Sequence, residues 1–141
     1  DGSVEGTPGE AVLTSGEASA VVAEAKVTRE QVRAKNKETL QEIIDNDTLS
    51  EAQKKEALDQ MVAMTDLSEK EVAAETLLAS KGFAEAVVSL SEDSADVVVN
   101  ASDANRAQIE DIITRKTGVA AENIVITPIH TEKVKSEKKE K

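Results

Sequence analysis

The feature that most constrains this chain is a change of period at Gly82. Upstream of it, apolar residues recur at helical spacing. Downstream, the stretch KGFAEAVVSLSEDSADVVVNA (81–101) carries them at every second position. A period of 2 puts alternate side chains on opposite faces of a strand, whereas a helix gathers those three or four apart. Ala84, Ala86, Val88 and Leu90 therefore share one face, and beyond the acidic SEDS turn Val97, Val99 and Ala101 match it. The reading is a β-hairpin with one apolar side.

Helix starts are written clearly before this hairpin. Thr28 with Gln31, Ser50 with Gln53, and Ser68 with Glu71 each fit the capping box, in which two side chains satisfy orphan amides reciprocally. Val27/Val32 and Leu67/Val72 bracket the first and third boxes as apolar staples. The expectation is three helices in series, over 29–46, 51–64 and 69–81, the first two forming a helical hairpin. Their inward stripes are read as Val32, Leu40, Ile43 and Ile44; Ala57, Leu58, Met61 and Val62; and Val72, Ala73, Leu77 and Leu78. Gly82 supplies a low-cost left-handed stop.

After the hairpin, Ser102 or Asp103 caps a further helix with Ala107, Ile109, Ile112 and Ile113 inward, closed by Gly118. A third strand follows at 123–127, ended by Pro128, which has no amide to donate. The fold class is thus α/β in the broad sense, more narrowly α+β. From Ser68 it is an α-β-β-α-β two-layer sandwich with a three-stranded sheet, preceded by two additional helices. Two helices cover one face of such a sheet. The other face presents Glu85, Val87, Ser89, Asp96, Val98 and Asn100, with Val125 and Thr127 beside them, and these first six are the candidate partner-binding residues. An unpaired outer strand would also offer backbone groups for strand addition.

Residues 1–16 hold four of the six Gly and one of the two Pro, and EASAVVAEAK (17–26) is Ala-rich without large anchoring side chains. We read 1–27 as a flexible linker, 28–66 as the helical hairpin, 67–130 as the α/β domain packed with it, and 131–141 as a charged tail.

Charge and side-chain chemistry exclude more than they assign. Asp and Glu outnumber Lys and Arg by 28 to 17, for a formal charge of -11, which disfavours nucleic acid and anionic membrane surfaces. His130 is the only imidazole, there is no Cys, and Phe83 is the only aromatic residue. No nucleotide-binding, zinc or nucleophile-elbow signature occurs. Glu92, Asp93 and Asp96 lack calcium-loop spacing and read as a solvated turn. No catalytic, cofactor or metal-ligating residue is assigned.

The runs TREQVRAKNKETLQEIIDN (28–46), SEAQKKEALDQMVAM (50–64), SEKEVAAETLLASKGFAEAVVSL (68–90), ADVVVNA (95–101) and AQIEDIITRKTGVAAENIVITP (107–128) resemble the extracytoplasmic domains of the stage III sporulation protein AH family. These are ring-building-motif modules, related in shape to K-homology domains and similar to ring proteins of secretion systems. The RNA-binding K-homology branch needs a GxxG loop and basic charge, which this chain lacks.

The resemblance implies a non-enzymatic sporulation protein. It implies a mother-cell membrane location through an N-terminal helix not present in these residues, with the domain in the space facing the forespore. It implies stage II sporulation protein Q, a LytM-like protein, as partner in a channel or zipper, with self-association into a ring. The alternatives are an acidic soluble adaptor of an unrelated pathway, or a K-homology-like nucleic-acid-binding domain, which the charge disfavours.

Overall fold

In the computed structural model, residues 12–131 are described. Thr14 caps α1 (Ser15–Ile44), its hydroxyl accepting from Glu17 N–H while the Glu17 carboxylate accepts from Thr14 N–H. Ser50 and Gln53 cap α2 (Glu51–Ser80) in the same reciprocal way. Two strands follow, β2 (Ala86–Leu90) and β3 (Ala95–Asn100), then a 3₁₀ turn, α3 (Arg106–Thr117) and β4 (Ile124–Thr131). A two-residue strand, β1 (Val12–Leu13), precedes α1. Gly82 (φ 100°) and Gly118 (φ 82°) stop α2 and α3 in the left-handed region, as their positions predict.

The helix boundaries differ from the sequence reading. α1 and α2 each run 30 residues, about 45 Å. Thr28 and Ser68 therefore lie inside helices and cap nothing. The residues from Ser15 to Val27, read as linker, are the first half of α1, because Ala18 and Val22 find an apolar surface to bury. The rest of the linker reading, 1–11, and the tail beyond Thr131 lie outside the described residues; Thr131 itself ends β4.

The sheet has the order β1-β4-β3-β2. β2 and β3 are antiparallel, with Val87 opposite Val98 and Ser89 opposite Asp96; β3 and β4 are parallel, with Asp96 beside Val125 and Val98 beside Thr127. The expected three-stranded sheet is thus extended by β1, which pairs with His130 and Thr131. One face carries the main core: Ala86, Val88, Leu90, Val97 and Val99 against Ala74 and Leu78 of α2 and Ile109, Ile112 and Ile113 of α3. The hairpin's alternation and the α3 stripe place these residues as expected, except that Ala107 is exposed, as is Ala84, which lies before β2.

The inward stripes of α1 and α2 match the sequence reading only in part. Leu40, Ala57 and Leu78 are buried as expected, but Val32, Leu58, Val62 and Val72 are all more than half exposed, while Ala74 and the carboxylate Glu71 are buried. On α2, Glu71 faces Arg33 of α1 and the Leu90 N–H of the sheet, and the neighbouring Val72 is left outside.

Candidate partner interface

The second face of the sheet decides what this domain exposes. α1 crosses it: Ala18 and Val22 pack on Val87 and Ile129, with Leu13, Ala25 and Val98 around them. The expectation that this whole face stays open is therefore corrected. Of the six predicted contact residues, Val87 is buried at 2% exposure, and Val98, Ser89, Asn100 and Glu85 are half-buried. Glu85 also accepts a hydrogen bond from Ser19 of α1 at 3.2 Å. Of the six, Asp96 alone is exposed, joined there by Val125 (58%) and Thr127. The structure brings Ser89, Asp96 and Val125 together in one row across three strands, at the end of the sheet that α1 leaves bare.

Strand edges are the second possible contact. Glu85 O accepts from Asn100 N–H, so the odd-numbered residues of β2 face β3 and the even-numbered ones face outward. The outward groups of Val88 and Leu90 are occupied by charged side chains. Val88 N–H donates to Glu75 (2.8 Å) and Leu90 N–H to Glu71 (2.7 Å), while Arg29 donates to Val88 O (2.6 Å) and Arg33 to Leu90 O (3.3 Å). Two helices thus supply donors and acceptors in the alternation that a neighbouring strand would.

The four side chains also bind one another. Arg33 holds Glu71 through two contacts of 2.6 and 2.7 Å, and Arg29 holds Glu75 at 2.8 Å. Lys26 adds a longer pair to Glu75 at 3.7 Å. The hydrogen bond that Arg33 donates to Glu71 raises the Arg33 pKa above the ordinary arginine value against the opposing effect of burial. Burial pulls the Arg29 pKa down, but the hydrogen bond and charge of Glu75 outweigh it and leave it raised too.

On the far edge, the ladder with β3 turns the odd-numbered residues of β4 inward and Ile124, Ile126, Pro128 and His130 outward. Pro128 therefore does not end the strand, as the sequence reading had it; its missing N–H faces away from the ladder, where an edge strand tolerates it. β1 covers His130. On this edge the Ile124 N–H already donates to Ala121 O of the preceding 3₁₀ turn, so among the described residues of β4 only Ile126 presents both an outward amide and an outward carbonyl without a strand neighbour.

Side chains that could do chemistry are not gathered. No group of three His, Cys, Asp or Glu suited to a metal occurs among the described residues. His130 is half-buried in β4, and Glu92, Asp93 and Asp96 make no ion pair among the described residues. No described helix is long and apolar enough to cross a membrane.

What the sequence reading missed was the Arg29, Arg33, Glu71 and Glu75 network and the cover from α1. A signal for the second was present: Thr14-Ser15-Gly16-Glu17 is itself a capping box that starts α1 early.

Fold and surface together define a class: a small α+β module with a long helical hairpin, guarded strand edges and one open flank. Its family model is that of SpoIIIAH-like proteins, matched over residues 5–126, and the chain belongs to that family. Stage III sporulation protein AH of Bacillus subtilis (strain 168) is 29% identical over 84 residues, covering 60% of this chain. This chain spans only 38% of that relative's length. A chain in a solved structure described as the SpoIIQ-SpoIIIAH pore forming complex matches with a TM-score of 0.63 at 25% identity, covering 77% of this chain and 97% of that one.

Proposed function

We propose that this domain is a non-enzymatic assembly module of sporulation that binds a SpoIIQ-type partner bearing a LytM-like domain. In this reading it is held at the mother-cell membrane, faces the space toward the forespore, and joins the two cells in a channel or zipper, with copies arranged as a ring. The observation that carries the reading is the likeness, in both sequence and fold, to a chain solved within a SpoIIQ-SpoIIIAH complex. An exposed surface of carboxylates, hydroxyls and valines, without a metal-ligand cluster among the described residues, supports assembly over catalysis. Mixing the domain with the LytM-like domain of its own organism's SpoIIQ at about 10 μM tests it. A single co-eluting species in size-exclusion chromatography with light scattering is expected. Two separate peaks with the masses of the free proteins would sink the reading.

A further inference from the structure

The strand edges leave little backbone for a partner. On β2 the outward groups of Val88 and Leu90 are taken by Arg29, Arg33, Glu71 and Glu75, and on β4 Pro128 has no amide to offer and β1 covers His130. One sheet face is core and the other is half covered by α1. What remains is a corner between the uncovered end of the sheet and the adjacent flank of α1.

Helical periodicity puts Val21, Ala25, Thr28 and Val32 along that flank, turned away from Lys26 and Glu30. Val21 and Val32 are 42% and 54% exposed. Thr28 and Val32 line a groove of about 830 Å³ with Ser89, Glu92 and Glu24. From Ser89 the row Asp96–Val125 continues across the sheet, so Val125 lies about 10 Å from the groove. A second groove of about 770 Å³, sharing Asn36, Met64, Leu67 and Glu92, prolongs the first along the hairpin.

Charge defines the occupant. Glu24, Glu92 and Asp96 border this apolar strip and have no ion-pair partner among the described residues. The cations nearby in the fold are committed elsewhere, Arg29 and Arg33 to the buried carboxylates and Lys70 to Asp66 at 3.2 Å. The whole chain carries -11. A surface of valines rimmed by unneutralised carboxylates matches a protein surface that is apolar at its centre and bears Lys or Arg at its rim.

We infer that the partner docks in this corner, on Val32 and Val125, and that Lys or Arg side chains of the partner meet Glu24, Glu92 and Asp96. This rests on the proposed binding of a SpoIIQ-type protein and adds where and by what chemistry it binds.

Titration calorimetry of the LytM-like domain into the parent chain and four variants tests it. Val32→Glu and Val125→Glu should each weaken binding by about tenfold or more. Asp96→Lys should weaken it several-fold and flatten its salt dependence. Val62→Glu, on the exposed outer side of α2, should leave affinity within about twofold. Circular dichroism melts confirm that the variants, all at exposed positions, keep the fold. Parent-like binding by Val32→Glu, Val125→Glu and Asp96→Lys overturns the inference and leaves the proposed function standing. Equal weakening by Val62→Glu also overturns it. No binding by the parent chain overturns both. Self-association of the parent chain that the same variants abolish assigns the corner to a second copy and overturns the partner assignment.

Discussion

Arg33 grips Glu71 through two contacts of 2.6 and 2.7 Å, at a carboxylate with no solvent exposure. The same carboxylate accepts the outward Leu90 N–H of β2, so one ion pair ties α1, α2 and the sheet together. Removing one member of a buried pair strands the other, and the cost exceeds the net worth of the pair. Glu71→Ala should destabilise the domain by about 3–5 kcal/mol in urea denaturation, leaving Arg33 and the Leu90 amide without their acceptor. A loss below about 1 kcal/mol would mean that water or Glu75 replaces it.

The pH dependence of that network follows from the raised arginines. A cation whose folded pKa lies above its unfolded value contributes stability that is complete below the unfolded pKa and is lost only as pH rises through the folded one. For Arg29 and Arg33 that loss begins above the ordinary arginine range. The gap in melting temperature between the parent chain and Arg33→Met should therefore stay constant from about pH 7 to about pH 10. A gap that closes within that interval would contradict the assignment.

The two Thr-initiated capping boxes of α1 make opposite forecasts. Thr14 caps the helix, so Thr14→Ala should cost about 1 kcal/mol. Thr28 is exposed in mid-helix, so Thr28→Ala should be neutral or stabilising by a few tenths of a kcal/mol through helix propensity. Chemical denaturation of both variants checks this, and a larger loss at Thr28 would restore the later helix start.

Two glycines in open space separate backbone strain from packing. An added Cβ meets nothing within 4 Å at Gly16 or Gly118, but Gly118 holds φ 82°. Gly118→Ala should lose about 1 kcal/mol, and Gly16→Ala, inside α1, should gain up to about 1 kcal/mol. Thermal melts that shift in the same direction for both would refute the distinction.

The sequence reading succeeded where a periodic pattern is decided locally. Ala86, Val88, Val97 and Val99 alternate, and they face the core; Ile109, Ile112 and Ile113 lie on one helical side, and they are buried. Gly82 and Gly118 stop helices because no other residue adopts that backbone so cheaply. Of the candidate site, Asp96 was legible as an exposed strand residue, whereas Val87 was not legible as a covered one. Its burial depends on Ala18 and Val22, some 65 residues away, and small side chains give a weak signal until the surface that they cover is known.

Local chemistry alone therefore determined the order helix, strand, strand, helix, strand around the hairpin, the core face of the hairpin and the places where two helices stop. Tertiary structure decided the rest. Ser68-Glu-Lys-Glu71 spells a helix start, yet Ser68 accepts a hydrogen bond from Arg33 and Glu71 is drawn to Arg33 and Leu90. A charged group inside a protein goes to the partner that best compensates its lost hydration, and that partner lay on another helix and on a strand edge.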